Sequence, residues 1–305
     1  MRRFLIDTDT ASDDAVALVM ALQSPDILVE AITLVAGNVP VEQGLQNALY
    51  TIELCKKQIP VYAGMARPML HPLETAQDIH GIDGLGDIGL PLHGRKATPG
   101  HAVDVLVQTI NGSPGEITLV ALGPLTNIAF ALRFDPSIAQ KVKECILMGG
   151  VGKGIGNVTP VAEYNIWVDP EAAKIVFESG MPITMVGWDV CVDEATISVD
   201  EAQNIRQVGT ALAEFCIDIQ QFHGGGKINA RPFVIADPLA MAIALNRDVA
   251  TEVRRLFVAV ETESKLCRGQ TVVDHLNVLG KEANIDVVLG ASHEIFLNML
   301  YEAVR

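Results

Sequence analysis

The sequence predicts an α/β fold: a single-domain, open and mostly parallel β-sheet flanked by helices. Three observations carry that prediction. Short Val/Ile/Leu-rich runs alternate with helical patterns, the runs are apolar almost throughout, and polar clusters stand at their C-terminal ends. Continuous apolarity marks strands covered on both faces, and β-α alternation lays such strands side by side in parallel. Residues 3–7 form the first predicted strand, followed by a helix over 13–23. Residues 27–36 form the second, with a helical pattern over 41–57. A strand at 117–122 lies between helices at 100–111 and 125–133, and strands at 144–148 and 183–186 flank a helix at 170–178. In a sheet of this kind ligands bind beyond the strand C-termini, where Asp7–Asp14, Gly37-Asn38 and Gly149-Gly150 all fall.

Two long irregular stretches interrupt the alternation. Residues 68–99 contain His80-Gly81-Ile82-Asp83-Gly84-Leu85-Gly86, and residues 223–231 begin with His223-Gly224-Gly225-Gly226-Lys227. Loops this long in a compact domain serve as lids or binding segments, or are plain surface excursions; both are taken as candidate lids. With 305 residues, 49% hydrophobic and 19% charged, the chain reads as one unit over 1–305 with a large core. A net charge of -15 argues against nucleic acid or an anionic membrane as partner. No apolar run reaches the ~18 residues of a membrane span, and Arg2-Arg3 leads directly into a strand, so a cytoplasmic location is expected. Cys55, Cys145, Cys191, Cys216 and Cys267 are widely spaced, without a C-x-x-C pair, which fits reduced thiols.

The chemistry starts at Asp7, Asp9, Asp13 and Asp14, four carboxylates within eight residues directly after the first strand. Acids so close together raise one another's pKa unless a divalent cation or a hydroxyl-rich ligand takes up the charge. Capping of the following helix accounts for one or two of them but not for four. Asp7-Thr8-Asp9-Thr10 also matches in part the Asp-x-Asp-x-Thr signature of aspartyl-phosphate phosphatases, with the threonine one place early and no later Gly-Asp-x-x-x-Asp motif. Asp237-Pro238 precedes an apolar helical run and reads locally as an N-cap with proline at the first helical position. The segment 156–170 holds Asn157, Glu163, Asn165 and Asp169, a density of amides and acids that suits a hydroxylated ligand, although a plain solvent loop is the alternative. Gly149-Gly150-Val151-Gly152-Lys153-Gly154 lacks the Ser or Thr of a phosphate-binding loop and the dinucleotide glycine spacing.

Taken in order, Asp7-Thr8-Asp9 with Asp13-Asp14, Val35-Ala36-Gly37-Asn38, His80-Gly81, Gly123-Pro124-Leu125-Thr126-Asn127, Leu147-Met148-Gly149-Gly150, Asn157 through Glu163-x-Asn165, and Asp237-Pro238 resemble the inosine-uridine nucleoside hydrolase family nearly end to end. The resemblance implies a Rossmann-like core and hydrolysis of ribonucleosides to ribose and free base. It implies a Ca²⁺ held by Asp9, Asp14, Asp237 and the carbonyl of Leu122. It further implies that Asp13, Asn165 and Asp237 meet ribose hydroxyls, that Asn157 and Glu163 reach the 5′-hydroxyl, that Asn38 and Met148 line the sugar, and that Asp7 supports the cluster from behind. A small ribonucleoside is then the partner, and a homodimer or homotetramer the expected assembly. The chemistry of the residues agrees: cleavage of an N-ribosidic bond passes through an oxocarbenium-like state that an anionic pocket stabilises. Asp9 is the candidate general base toward a metal-activated water, without a covalent intermediate.

One position departs from the family pattern. The residue before the last calcium-ligand aspartate, where relatives place a proton-donating histidine or a base-stacking tryptophan, is Ala236. His80 or His223, brought in by a lid, is therefore the candidate contact to the leaving base, with Lys227 or Arg231 beside it. Two competing classes stay in view: the phosphatase, and a non-catalytic ribose or nucleoside binder that kept the cation site and lost its leaving-group acid.

Overall fold

The computed structural model describes residues 1–220 and 231–305. Its strands are β1 (Arg2–Thr8), β2 (Ile27–Leu34), β3 (Val61–Ala63), β4 (Ile117–Ala121), β5 (Glu144–Met148), β6 (Ile183–Val186), β7 (Thr196–Ile197), β8 (Phe233–Val234), β9 (Ala250–Leu256), β10 (Val258–Val260), β11 (Thr271–Val273) and β12 (Ile285–Ala291). Its helices are α1 (Ser12–Gln23), α2 (Val41–Leu54), α3 (Gln77–His80), α4 (Ala102–Gly112), α5 (Thr126–Phe134), α6 (Tyr164–Val168), α7 (Pro170–Phe177), α8 (Trp188–Glu194), α9 (Val199–Arg206), α10 (Ala211–Asp218), α11 (Ala236–Leu245) and α12 (His293–Ala303). Among these residues no helix is long and apolar enough to cross a membrane.

The main sheet has the order β3-β2-β1-β4-β5-β6-β12-β9, parallel throughout except where β9 runs antiparallel to β12. The mostly parallel sheet expected from the sequence is therefore present. Strands β5 and β6 have the predicted bounds, and the other predicted elements shift by one to three residues at their ends. β1 shows why its run reads as continuously apolar. Phe4 and Ile6 pack into the core under α1, α11 and α12, while Leu5 packs on the opposite face with Leu106 of α4, Ile128 of α5 and Phe177 of α7. Each such fully buried side chain contributes roughly 1.5–3 kcal/mol.

β1 is central, paired with β2 on one side and β4 on the other, so that Asp7 stands opposite both Thr33 and Ala121. The chain leaves β1 toward β2 and later returns to fill β4, which makes the β1/β4 boundary a topological switch point with an open crevice above the strand ends. Asp9, Gly37, Leu122 and Gly187 follow β1, β2, β4 and β6 at that end of the sheet, and Met148 is the last residue of β5. In the 68–99 stretch the only helix is the short α3; of the other candidate lid, residues 223–230 lie outside the described residues and Arg231 is exposed.

Candidate active site

Asp9 follows the end of β1 and is fully buried. Its Oδ2 accepts the Asn38 N–H at 2.6 Å, and its Oδ1, also buried, has no hydrogen-bond partner among the described residues. Two glycines leave room for this carboxylate: a Cβ at Gly37 would lie 2.1 Å from Oδ2, and one at Gly123 would lie 2.6 Å from Oδ1. Neither position has a positive φ, so glycine is required there for space alone. A Gly→Ala change at an ordinary φ stabilises a protein by about 0.4–1 kcal/mol. Gly123→Ala should do the opposite, lowering the melting temperature by displacing Asp9; circular dichroism melts check this, and an unchanged melt would show that Asp9 has slack.

Asp14 turns back toward the start of α1, its Oδ2 accepting the Ala11 N–H at 2.9 Å and its Oδ1 accepting the Thr8 hydroxyl. One acid of the four is thus a helix cap as well as a member of the cluster. Asp7 sits beneath, its Oδ2 held by Thr33 Oγ1 at 2.6 Å and Asn127 Nδ2 at 2.8 Å, with Oδ1 unpartnered. Asp237 differs from its local reading. α11 begins at Ala236 behind Ile235, which makes no side-chain cap, so Asp237 lies inside the first turn and Pro238 is the third helical residue. First-turn N–H groups have no intrahelical acceptor, so proline costs nothing there and the Asp237 carboxylate is free of capping duty.

Asp13, Asp14 and Asp237 each offer an oxygen within 4.8 Å of the others. Asp9 is outside that triad but close enough for its charge to act on Asp237. Asp13 and Asp237 stand on the wall of a cavity of about 570 Å³, with Asp9 and Asp14 buried behind it. Burial is the leading cause of the carboxyl shifts. It pushes Asp7 up to about 7 against its two hydrogen bonds, and Asp14 up to about 6 with help from the charge of Asp13. Asp9 and Asp237 are raised by burial and then by neighbouring acids.

Asn38, Leu122, Met148, Asn157, Glu163 and Asn165 line the same cavity, so the structure brings together every expected ribose contact. Asn165 Nδ2 donates to the Leu122 carbonyl at 2.8 Å and the Met148 carbonyl at 3.2 Å. Both amide hydrogens are spent, which leaves its oxygen for a hydroxyl donor and leaves one lone pair on the Leu122 carbonyl. Asn157 Oδ1 accepts the Tyr164 N–H, leaving its amide hydrogens free to donate. Glu163 is the N-cap of α6, its two oxygens accepting backbone N–H groups of Asn165, Ile166 and Gly150, while burial raises it to about 7. The segment 156–170 that lacked a clear period thus contains a capped helical turn.

His80, at the end of α3, lines the cavity with Nδ1 2.8 Å from Ser12 Oγ and 4.0 Å from Asp13 Oδ1. His223 and Lys227 lie outside the described residues, and the exposed Arg231 is not among the cavity-lining residues. Of the remaining histidines, His293 is engaged by Glu201 at 2.8 Å and His275 by the Gly152 carbonyl at 2.8 Å. The fold adds Ser12, beside His80, Asn127, which holds Asp7, and Trp188, which lines the cavity; of these Asn127 alone had a sequence signal, as the polar residue closing Gly123-Pro124-Leu125-Thr126-Asn127.

Residues 4–298 match the family model described as inosine-uridine preferring nucleoside hydrolase. The pyrimidine-specific ribonucleoside hydrolase RihB of Escherichia coli (strain SE11) is 37% identical over 315 aligned positions, covering 100% of this chain and 97% of that one. Among solved structures, a plant nucleoside hydrolase, the PpNRh1 enzyme, superposes with a TM-score of 0.92 at 32% identity, covering 99% of this chain and 98% of its own. A purine-preferring ribonucleoside hydrolase from Gardnerella vaginalis gives 0.90 at 31% identity, with the same coverage of 99% and 98%.

Proposed function

The chain belongs to the inosine-uridine preferring nucleoside hydrolase family and is a ribonucleoside hydrolase, an N-glycosidase, and from that premise we propose a calcium-dependent enzyme of nucleoside salvage. Family membership sets aside the aspartyl-phosphate phosphatase. The observation that carries the cation is the set of buried carboxylate oxygens without hydrogen-bond partners, Oδ1 of Asp7, Asp9 and Asp13, beside Asp14 and Asp237. Unpaired buried carboxylates are strongly unfavourable, and an all-oxygen donor set fits a hard divalent ion with six to eight ligands. Asp9, Asp14, Asp237 and the free lone pair of the Leu122 carbonyl would hold it. When bound, such an ion acts as a Lewis acid that lowers the pKa of water in the site.

The chain's own groups do the rest. Asp13 and Asp237 face the cavity where the 2′- and 3′-hydroxyls would sit, with the Asn165 amide oxygen as a further acceptor. Asn157 donates toward the 5′-hydroxyl, Glu163 shapes that end through the turn it caps, and Asn38 and Met148 flank the sugar. As the C1′–N bond breaks, positive charge developing on the ring meets an anionic wall; Asp9 takes a proton from the water whose oxygen bonds to C1′, and the base departs and is protonated, so ribose forms without a covalent intermediate. Release of reducing sugar from uridine and inosine tests the reading, since neither a phosphatase nor a passive binder produces ribose. Ala236 can donate no proton, so another group must meet the leaving base.

His80 is our candidate for contact with the leaving base, alongside His223. His80→Ala should lower kcat for uridine or inosine by about 10²–10⁴-fold and leave p-nitrophenyl riboside, whose leaving group needs no proton, within a few-fold. Equal losses on both would remove His80 from this role. We further take the enzyme to be cytoplasmic and a homodimer or homotetramer, which light scattering on the purified protein decides.

A further inference from the structure

The antiparallel pair β10–β11 stands away from the cavity, and neither strand supplies a lining residue. It nevertheless holds two points of the segment that leads from β5 to α6. The Gln270 backbone bridges Ala162, the residue before Glu163. Thr271, the first residue of β11, is buried against the turn that follows β5. Its Oγ1 accepts the Val151 N–H at 2.7 Å and donates to the Val151 carbonyl at 2.8 Å. Its methyl group packs on Gly150, where φ is +73° and an added Cβ would lie 2.7 Å from that methyl. Gly150 in turn donates its N–H to Glu163 Oε2 at 2.8 Å. Further out, Asp189 accepts the Gly152 and Lys153 N–H groups, and Lys153 Nζ donates to the Leu289 carbonyl. At Val151, however, both backbone groups are spent on the Thr271 hydroxyl.

We propose that Thr271 is a positioning residue for the 5′ end of the ribose: from outside the cavity, its hydroxyl fixes the Gly150 N–H that orients the Glu163 carboxylate. The inference rests on the ribonucleoside reading. Held by Gly150, the carboxylate stays over the start of α6, where it also accepts the Asn165 and Ile166 N–H groups. Asn157 follows it, because its Oδ1 accepts the N–H of the next residue, Tyr164, at 2.9 Å. The Asn165 side chain is fixed separately, by the carbonyls of Leu122 and Met148, so loosening the turn acts on the 5′ end and spares the other hydroxyls. Without the hydroxyl, the buried N–H and carbonyl of Val151 are left unpaired, and the turn must move to give them partners.

Kinetics and hydrogen exchange test it. Thr271→Val keeps the shape of the side chain and removes both hydrogen bonds. It should lower kcat/KM for inosine by up to about 100-fold, the cost of a ~1 Å misplacement of a binding group, with a clearly smaller loss for 5′-deoxyinosine, which has no 5′-hydroxyl to misplace. Thr271→Ser keeps the hydroxyl and should retain most of the activity. Independently of turnover, exchange in Thr271→Val should quicken at the Asn165 and Ile166 amides that Glu163 caps, as well as at Val151; in the wild type these three amides should open together as one cooperative unit, which needs no variant to fold. No loss for inosine, equal losses on the two substrates, or amides that open separately overturns the positioning role. If the wild-type protein releases no ribose while the three amides open together, the hydrolase reading fails and the brace on Glu163 stands. Ribose release with separate opening fails the brace alone.

Discussion

Asp9→Asn should lose about 10²–10⁴-fold in kcat, the usual contribution of a general base, with a much smaller change in KM. The asymmetry follows from where Asp9 sits. It is buried next to the cavity and is not among the lining residues, whereas the groups proposed to hold ribose line it. Asparagine keeps an oxygen to accept the Asn38 N–H, which Asp9 now takes at 2.6 Å, and occupies the same space between Gly37 and Gly123. What it loses is the second carboxylate oxygen, the one without a partner, and with it the ability to take up a proton. A residue that served only to hold a cation would show a different result, because saturating calcium would then recover most of the activity. Calcium affinity by calorimetry and kcat at saturating calcium separate the two. Full recovery at high calcium would move the general base to another acid, with Asp13 on the cavity wall the first to examine.

The parts of this molecule that were legible in the sequence are those where local pattern and tertiary environment coincide. β5 and β6 are central strands buried on both sides, so an unbroken Val/Ile/Leu run is both their signature and their fate. α11 is harder to read, since nine of its ten residues are buried and no polar face exists to reveal a helical period. β9 is obscure for the opposite reason. Five consecutive residues are exposed, and it becomes a strand because β12 offers a free edge. β12 carries the same Val/Leu signature as the earlier strands but stands beyond the last predicted one. In the site, four acids after a strand announce themselves, while Asp237 reads locally as a cap and joins them only through the family resemblance, before the fold sets it beside Asp14. A serine between acids likewise reads as a helix start, and only the approach of α3 gives its hydroxyl a histidine to hold.

Chelation should abolish ribose release and lower the melting temperature, and the size of the thermal effect should depend on pH in a defined direction. Asp7 and Glu163 are raised to about 7 and Asp14 to about 6, all above the ~4 of an unfolded carboxyl. Groups whose folded pKa is raised favour the folded state while protonated there. Their contribution is complete below about pH 4 and is lost as pH rises through 6 to 7. The chelated protein should therefore lose stability across that window. A cation in the cluster requires deprotonated ligands, so its affinity rises over the same range and offsets the repulsion at Asp14. At a hundredfold excess over Kd, binding adds about 2.7 kcal/mol, a rise in Tm of roughly 4 °C for a chain of 305 residues. The gap between calcium-loaded and EDTA-treated melts should thus be small at pH 5 and reach that size by pH 7.5. Calcium should restore both activity and Tm. Asp237→Asn should flatten the gap, because it removes one proposed ligand and one repelling charge from the triad of Asp13, Asp14 and Asp237. No gap at any pH, or activity that survives exhaustive chelation, would mean that the cluster holds no ion; a constant gap would mean that ion binding is not linked to these carboxyls.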